Sequence, residues 1–396
     1  MQINPDSKLE LHDFFSRKEN GYFIVWTESK SNFVELSPES FEVLCLLKKG
    51  LSLAEVSKAF EEKYGEPCDV SDFVSELIQN GFAKSIDGIR ITSETKRKVT
   101  LSFIKKKHVG WIYSKPLLFL YAIVMLFALA ILVLNPSYMP TYQDFFFSEN
   151  YLVSVLLSIV SVLVLVFVHE FAHLIAGKSV GVNGYFSVGM RLFYPVAETN
   201  LTGLWSVPRK RRILPFLAGM MNDALIISLV LILFWLSDCG ITASSSRLFS
   251  FGKFLILILF YGIMWQFLFF VRTDVYFVVS TLSGARNLYG DSWHLIKNKV
   301  LGLIGRETVS LDLSQSELRV VRVYSLFMLA GTVVSVATFV YFGIPILIEI
   351  FVESINQMMM FGTADFVQGV LLFVLASLQI GGMLLFLAKS LWKLKR

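Results

Sequence analysis

Residues 151–176 read YLVSVLLSIVSVLVLVFVHEFAHLIA, and this stretch decides both the fold class and the chemistry. From Tyr151 to Val168 no residue is charged, and about 20 apolar residues in a helix cross a bilayer. The run predicts a membrane-spanning helix over 152–176, with His169-Glu170-Phe171-Ala172-His173 near its end, an HExxH pattern. On a helix, His169 and His173 at i and i+4 share one face and can hold one metal ion. Glu170, next to the first of them, can then act as general base toward water. Zinc suits such a set, since catalytic zinc takes three protein ligands and keeps one position open. An ionisable side chain within a span costs at least ~2.5 kcal/mol, so three together call for a compensating partner such as a metal.

Outward from this helix, apolar runs near 116–135, 213–236, 251–271, 323–350 and 366–391 predict an α-helical polytopic membrane protein of six spans. The composition agrees: 55% of the 396 residues are hydrophobic and 17% charged, against roughly 25% charged in soluble proteins. The mean hydropathy is +0.61. A wholly soluble enzyme, a disordered chain and a disulfide-rich secreted module are excluded. Cys45, Cys68 and Cys239 form no CxxC spacing, so neither a disulfide framework nor a cysteine zinc site is expected. The polar opening MQINPDSKLELHD has no signal-peptide pattern. Lys and Arg gather before the first span, in 177–212, in 272–322 and at the C-terminus, while 136–150 and 351–365 have none. The positive-inside rule then places both termini in the cytoplasm, and anionic lipid would attract the basic face.

Charge divides the chain. Residues 1–95 carry 17 acidic and 10 basic groups, a net of −7, and the remainder carries a net of +12. Three parts are expected: a cytosolic domain over 1–95, a basic juxtamembrane linker over 96–115, and a six-span domain over 116–396. In the head, Gly21–Trp26 and Asn32–Leu36 predict a hairpin. Ser37-Pro38 starts a helix, Ser52 with Glu55 forms a capping box for a second, and Asp69–Gln79 suits a third. Phe82–Ile91 closes the domain as a β-ribbon, completing a winged-helix-like α+β arrangement. Its net charge of −7 argues against nucleic acid, whose phosphates are bound by Lys and Arg.

Two acids can complete a zinc site. Asp274 lies just past the fourth span and Asp223 lies inside the third, and depth estimates do not separate them. The pattern as a whole resembles the site-2 protease family of membrane-embedded zinc metalloproteases. HExxH stands in one span, Ala218-Gly219 with Asn222 opens the next, and Arg272-Thr273-Asp274-Val275-Tyr276 follows a later one, running on to Asn287-Leu288. The last segment is similar to the branch linked to peptide maturation in bacterial cytoplasmic membranes. The resemblance implies a His169, His173, Asp274 zinc site with Glu170 catalytic and Asn222 orienting substrate. Val275 stands where the family has Gly, and Met220 where it has Pro. The head, over roughly 14–91, resembles the small recognition domain of the pyrroloquinoline-quinone chaperone type. That implies a leader peptide added as a strand beside Tyr22–Trp26 or Phe33–Leu36.

Residues 181–208 are rich in β-formers and glycine and suit an interfacial cytosolic loop, whereas the resemblance implies a segment that dips toward the zinc and holds substrate extended. The four basic residues 209–212 suit a topology anchor. The expected activity is hydrolysis of a peptide bond in a ribosomally made modified peptide or bacteriocin, bound through its leader. One alternative is a regulated intramembrane protease cutting a transmembrane regulator. Another, of a different class, is a non-hydrolytic peptide-binding, export or immunity membrane protein. No PDZ-like segment is present, which favours maturation, and the scarcity of ionisable residues in the first and last two spans disfavours zinc transport.

Overall fold

The computed structural model describes residues 4–27, 32–65, 69–91, 100–191, 194–242, 245–268, 272–284, 287–303, 305, 313 and 315–394. Cys68, the basic residues 96–98 and the terminal 395–396 of the sequence reading lie outside them. The chain is mostly helical, about 70%, and among the described residues six helices are long and apolar enough to cross a membrane. It divides into two compact units. The first comprises Met1–Phe103, Val180–Tyr185 and Asn200–Arg212; the second comprises Ile104–Ser179, Phe186–Thr199 and Ile213–Arg396.

The first unit contains β1 (Leu9–Leu11), β2 (Phe14–Glu19), β3 (Tyr22–Thr27), β4 (Phe33–Leu36), α1 (Pro38–Lys48), α2 (Leu53–Tyr64), α3 (Val70–Gln79), β5 (Ala83–Ile86) and β6 (Ile89–Arg90). Local chemistry sets the helix starts. Ser37 Oγ accepts the Ser40 N–H at 3.1 Å with Pro38 in the first turn, Ser52 and Glu55 cap reciprocally, and Asp69 caps α3. Val25, Leu44, Leu47, Val56, Leu77 and Phe82 form the buried core.

The hairpin of β3 and β4 pairs Trp26 with Phe33 and Phe23 with Leu36. Two further strands were not expected. β2 pairs with β3 from Phe14↔Thr27 to Glu19↔Tyr22, and β1 pairs with β5. The turn between β2 and β3 is Asn20-Gly21, both at positive φ (53° and 86°), the backbone that a two-residue hairpin requires. β3 is consequently the central strand. Tyr22–Trp26 therefore has no edge to offer a peptide, which corrects one of the two expected docking strands; Phe33–Leu36 remains an edge.

On the sheet face opposite the core, Ile24 is only 6% exposed, because the connector Asn200–Arg212 belongs to the same unit. Arg17 donates to the carbonyls of Trp205 at 2.8 Å, Ser206 at 2.9 Å and Val207 at 3.0 Å. Glu19 accepts from Arg212 Nη2 at 2.6 Å, and Arg209 donates to Asn20 Oδ1 at 2.8 Å. Arg212, 1% exposed, also lies over the Trp205 ring at 4.8 Å. Two of the four residues read as a topology anchor are thus committed to the head.

Among the described residues the second unit is helical apart from one ribbon and the connecting turns. Its elements are α4 (Lys106–Val109), α5 (Lys115–Leu134), α6 (Tyr151–Ser179), β7 (Tyr185–Arg191), β8 (Tyr194–Asn200), α7 (Arg209–Asp238), α8 (Ser246–Gln266), α9 (Asp274–Ser283), α10 (Leu288–Leu303), α11 (Gln315–Thr338), α12 (Ile344–Met358) and α13 (Ala364–Leu394), β7 and α7 beginning in the first unit. Residues 181–208 are not a simple loop, since β7 and β8 pair. The stretch 272–322 is largely helical, with Tyr276, Leu288, Val321, Tyr324 and Met328 buried together. The span expected over 323–350 is part of a longer run, in which a π-helical turn, Phe339–Gly343, joins α11 to α12. Pro345 falls just after that turn, in the first turn of α12, where its missing N–H costs little. α12 and α13 approach closely at Gly369, where a Cβ would lie 2.7 Å from the Ser354 carbonyl oxygen.

Candidate metal centre

Three helices supply the site. α6 carries His169 and His173 one turn apart, both buried, and α9 begins at Asp274. Asp274 Oδ2 lies 3.1 Å from His169 Nε2 and 3.1 Å from His173 Nε2, and the two Nε2 atoms are 3.2 Å apart. The opposite nitrogens are engaged by α7. His173 Nδ1 donates to the Pro215 carbonyl at 2.7 Å, and His169 Nδ1 donates to Asp223 Oδ2 at 2.7 Å. A carbonyl can only accept, so Nδ1 of His173 carries the proton and Nε2 presents its lone pair; the Asp223 carboxylate does the same for His169. Orientation of a metal-binding imidazole by a carboxylate or carbonyl at its far nitrogen is the usual supporting arrangement.

Gly219 makes room for the two rings. A Cβ at Gly219 would collide with the rings of both His169 and His173, so the bare backbone of α7 forms the wall facing the donors. Asn222 and Asp223 follow at i+3 and i+4 on that same helix face. Asn222 Nδ2 and Asp223 Oδ1 are buried and have no hydrogen-bond partner among the described residues. Asp274 is held by α8: its N–H donates to Gln266 Oε1 at 3.2 Å, and Thr273 Oγ1 donates to the Gln266 carbonyl at 2.6 Å. Val275 sits in the first turn of α9 with ordinary helical backbone, so the position asks for no glycine.

The donor set fits zinc. Tetrahedral bonds of about 2.0–2.1 Å would separate neighbouring donors by about 3.3 Å, and the three separations here are 3.1–3.2 Å. Charge points the same way. Glu170, Asp223 and Asp274 surround two imidazoles, and among the described residues neither Asp pairs with a Lys or Arg, so a dication would offset the acids. Of the two candidate acids, Asp274 stands on the Nε2 side with the donors, while Asp223 stands behind His169 on the Nδ1 side.

Glu170 points to the ribbon. Its Oε2 accepts the Thr199 N–H at 2.8 Å, and Thr199 Oγ1 donates to the Glu170 backbone carbonyl at 2.9 Å. Thr199, Gln266 and the Pro215 carbonyl were not singled out from the sequence. None lies within a motif, and each is identified only by its partner far along the chain. No protein-family model, curated protein or solved structure matches the chain.

Proposed function

We propose that this chain is a membrane-embedded zinc endopeptidase that matures a ribosomally made, modified peptide or bacteriocin bound through its leader. The observation that supports it is the convergence of His169, His173 and Asp274 within one ligand shell, with a glutamate next to the first histidine whose carboxylate is held by the Thr199 N–H. His169 Nε2, His173 Nε2 and Asp274 Oδ2 would hold the ion, and Asp223 and the Pro215 carbonyl keep the two rings turned toward it. Bound zinc would supply Lewis acidity toward a peptide carbonyl and toward water at neutral pH. Glu170 takes the proton from the attacking water and returns it to the leaving amine. The buried Nδ2 of Asn222, one turn from Gly219, would donate to the oxygen on which charge develops, and its lack of a partner among the described residues supports that role.

The six apolar helices cross the bacterial cytoplasmic membrane in this reading, with both termini on the basic, cytoplasmic side. In the head, β4 is the edge that accepts a leader as an added strand. The test is cleavage of a quenched-fluorescent peptide library by purified, zinc-loaded protein, wild type beside Glu170→Ala. The variant should keep its zinc and lose all cleavage, and residual cleavage at the wild-type rate would sink the mechanism.

A further inference from the structure

The two hydrogen bonds between Thr199 and Glu170 join a strand to a helix at one residue each, and they involve the side chain that the proposed reaction needs most. A glutamate on an apolar helix has three torsions to search. Here one carboxylate oxygen is taken by a backbone N–H and the helix carbonyl beneath it by the hydroxyl of the same threonine. A backbone N–H on an ionised carboxylate is a charge-assisted bond, stronger than a neutral one. No other hydrogen bond to the Glu170 carboxylate occurs among the described residues, so among them Thr199 is the partner that fixes where it stands. Oε2 is held, and Oε1 is left to exchange the proton.

Strand geometry explains how a threonine N–H comes to be spare. The N–H groups of a strand alternate between its two edges. In β8 the Thr199 N–H turns away from β7, toward α6, and by alternation residues 195 and 197 share that edge. Residue 195 is proline, which lacks an N–H and is tolerated in a sheet on an outward edge. On the other edge Ser187 Oγ of β7 donates to the Glu198 carbonyl at 3.2 Å. The end of the strand is fixed by Asn200 Oδ1, which accepts from the Thr202 N–H at 3.0 Å and the Thr202 hydroxyl at 2.6 Å.

We infer that Thr199 is the positioning residue for the general base, so that the β7–β8 ribbon sets the reach of Glu170. This rests on the protease reading, and the experiment separates the two. The tether is read first without any substrate, by amide hydrogen exchange at Thr199 in the full-length protein in detergent. Glu170→Ala should speed that exchange at least about tenfold, and unchanged exchange would overturn the inference. Kinetics then use the best-cleaved member of the peptide library. Thr199→Pro deletes the N–H on an edge that already carries a proline, and kcat should fall about 10–100-fold with KM nearly constant and zinc content intact. Thr199→Val, which keeps the N–H, should cost a few-fold, and Thr199→Ser should restore the wild-type rate. Equal kcat for Thr199→Pro and wild type would refute positioning. Should Thr199→Pro fail to fold, the Glu170→Ala exchange result and the Val–Ser pair decide. A wild type that binds zinc and cleaves no peptide would overturn the protease reading, whereas an unprotected Thr199 amide overturns only the tether.

Discussion

Gly219→Ala puts the architecture of the centre to its most direct test, because two effects of one methyl group have opposite signs. In the interior of a helix, alanine is favoured over glycine by about 1 kcal/mol, and Gly219 has ordinary helical backbone, so the fold alone predicts a slightly more stable protein. At the site the new Cβ would fall 2.5 Å from His173 Nε2 and against the His169 ring, where ordinary contact begins near 3.4 Å. The donors would have to retreat by about 1 Å. Neither ring can swing freely, since each is held at Nδ1 by a 2.7 Å bond to α7 itself. Retreat would open the 3.1–3.2 Å separations to about 4 Å, where three donors no longer share an ion with bonds of about 2.0–2.1 Å. The expected loss is at least 100-fold in zinc affinity, about 2.7 kcal/mol. Metal content by mass spectrometry and competition against a chromophoric chelator measure it, with thermal unfolding of the metal-free protein as control. A variant that binds zinc as the wild type does would refute the placement of α7 across the donors.

Replacing Asp274 with alanine should abolish stoichiometric zinc, while Asp223→Asn should weaken it only about 10–100-fold, as loss of a partner behind a ligand does; the reverse order would exchange their roles. Glu19→Gln leaves the Arg212 guanidinium, 2% exposed at its side chain, without its counter-charge, and should destabilise the first unit by about 3 kcal/mol, visible as faster limited proteolysis of the head. Glu35 stands on β4 beside Glu19, and desolvation together with that neighbour pushes its carboxyl above the ordinary 4.5. The folded head therefore holds this proton more tightly than the unfolded chain, and its stability falls as pH rises through the raised value. Glu35→Gln should raise the unfolding temperature at pH 7, and the gain should fade as pH drops toward 4.

What the sequence made legible was local. Ser37, Ser52 with Glu55, and Asp69 cap helices through partners two or three residues away, so their positions could be read directly. The HExxH spacing is local too. β2 was missed because Arg17, Lys18 and Glu19 hide its alternation, and what makes Arg17 and Glu19 suitable in a strand is a set of acceptors and arginines some 190 positions on. Even so, the Asn20-Gly21 turn was a signal that could have been weighed. Asp223 and Asp274 could not be separated from depth alone, since the difference between them is which imidazole nitrogen each one meets. That depends on how α7 and α9 pack against α6. Thr199 and Gln266 have no sequence signature for the same reason.

The fastening of Arg17 and Glu19 to residues 205–212 also sets an order of events during synthesis. Glu19 and Arg212 are 193 residues apart, which at 5–20 residues per second is about 10–40 s of translation. Throughout that interval the carbonyls that Arg17 needs do not exist, and Ile24 has no cover. Two long apolar helices, α5 and α6, must be made before the outer face of the first sheet can close. A nascent chain halted anywhere before residue 205 thus carries a head with an open, charged face, and one released beyond residue 212 already includes the helix bearing His169, Glu170 and His173. The head reaches its final form only in a chain that already contains that helix.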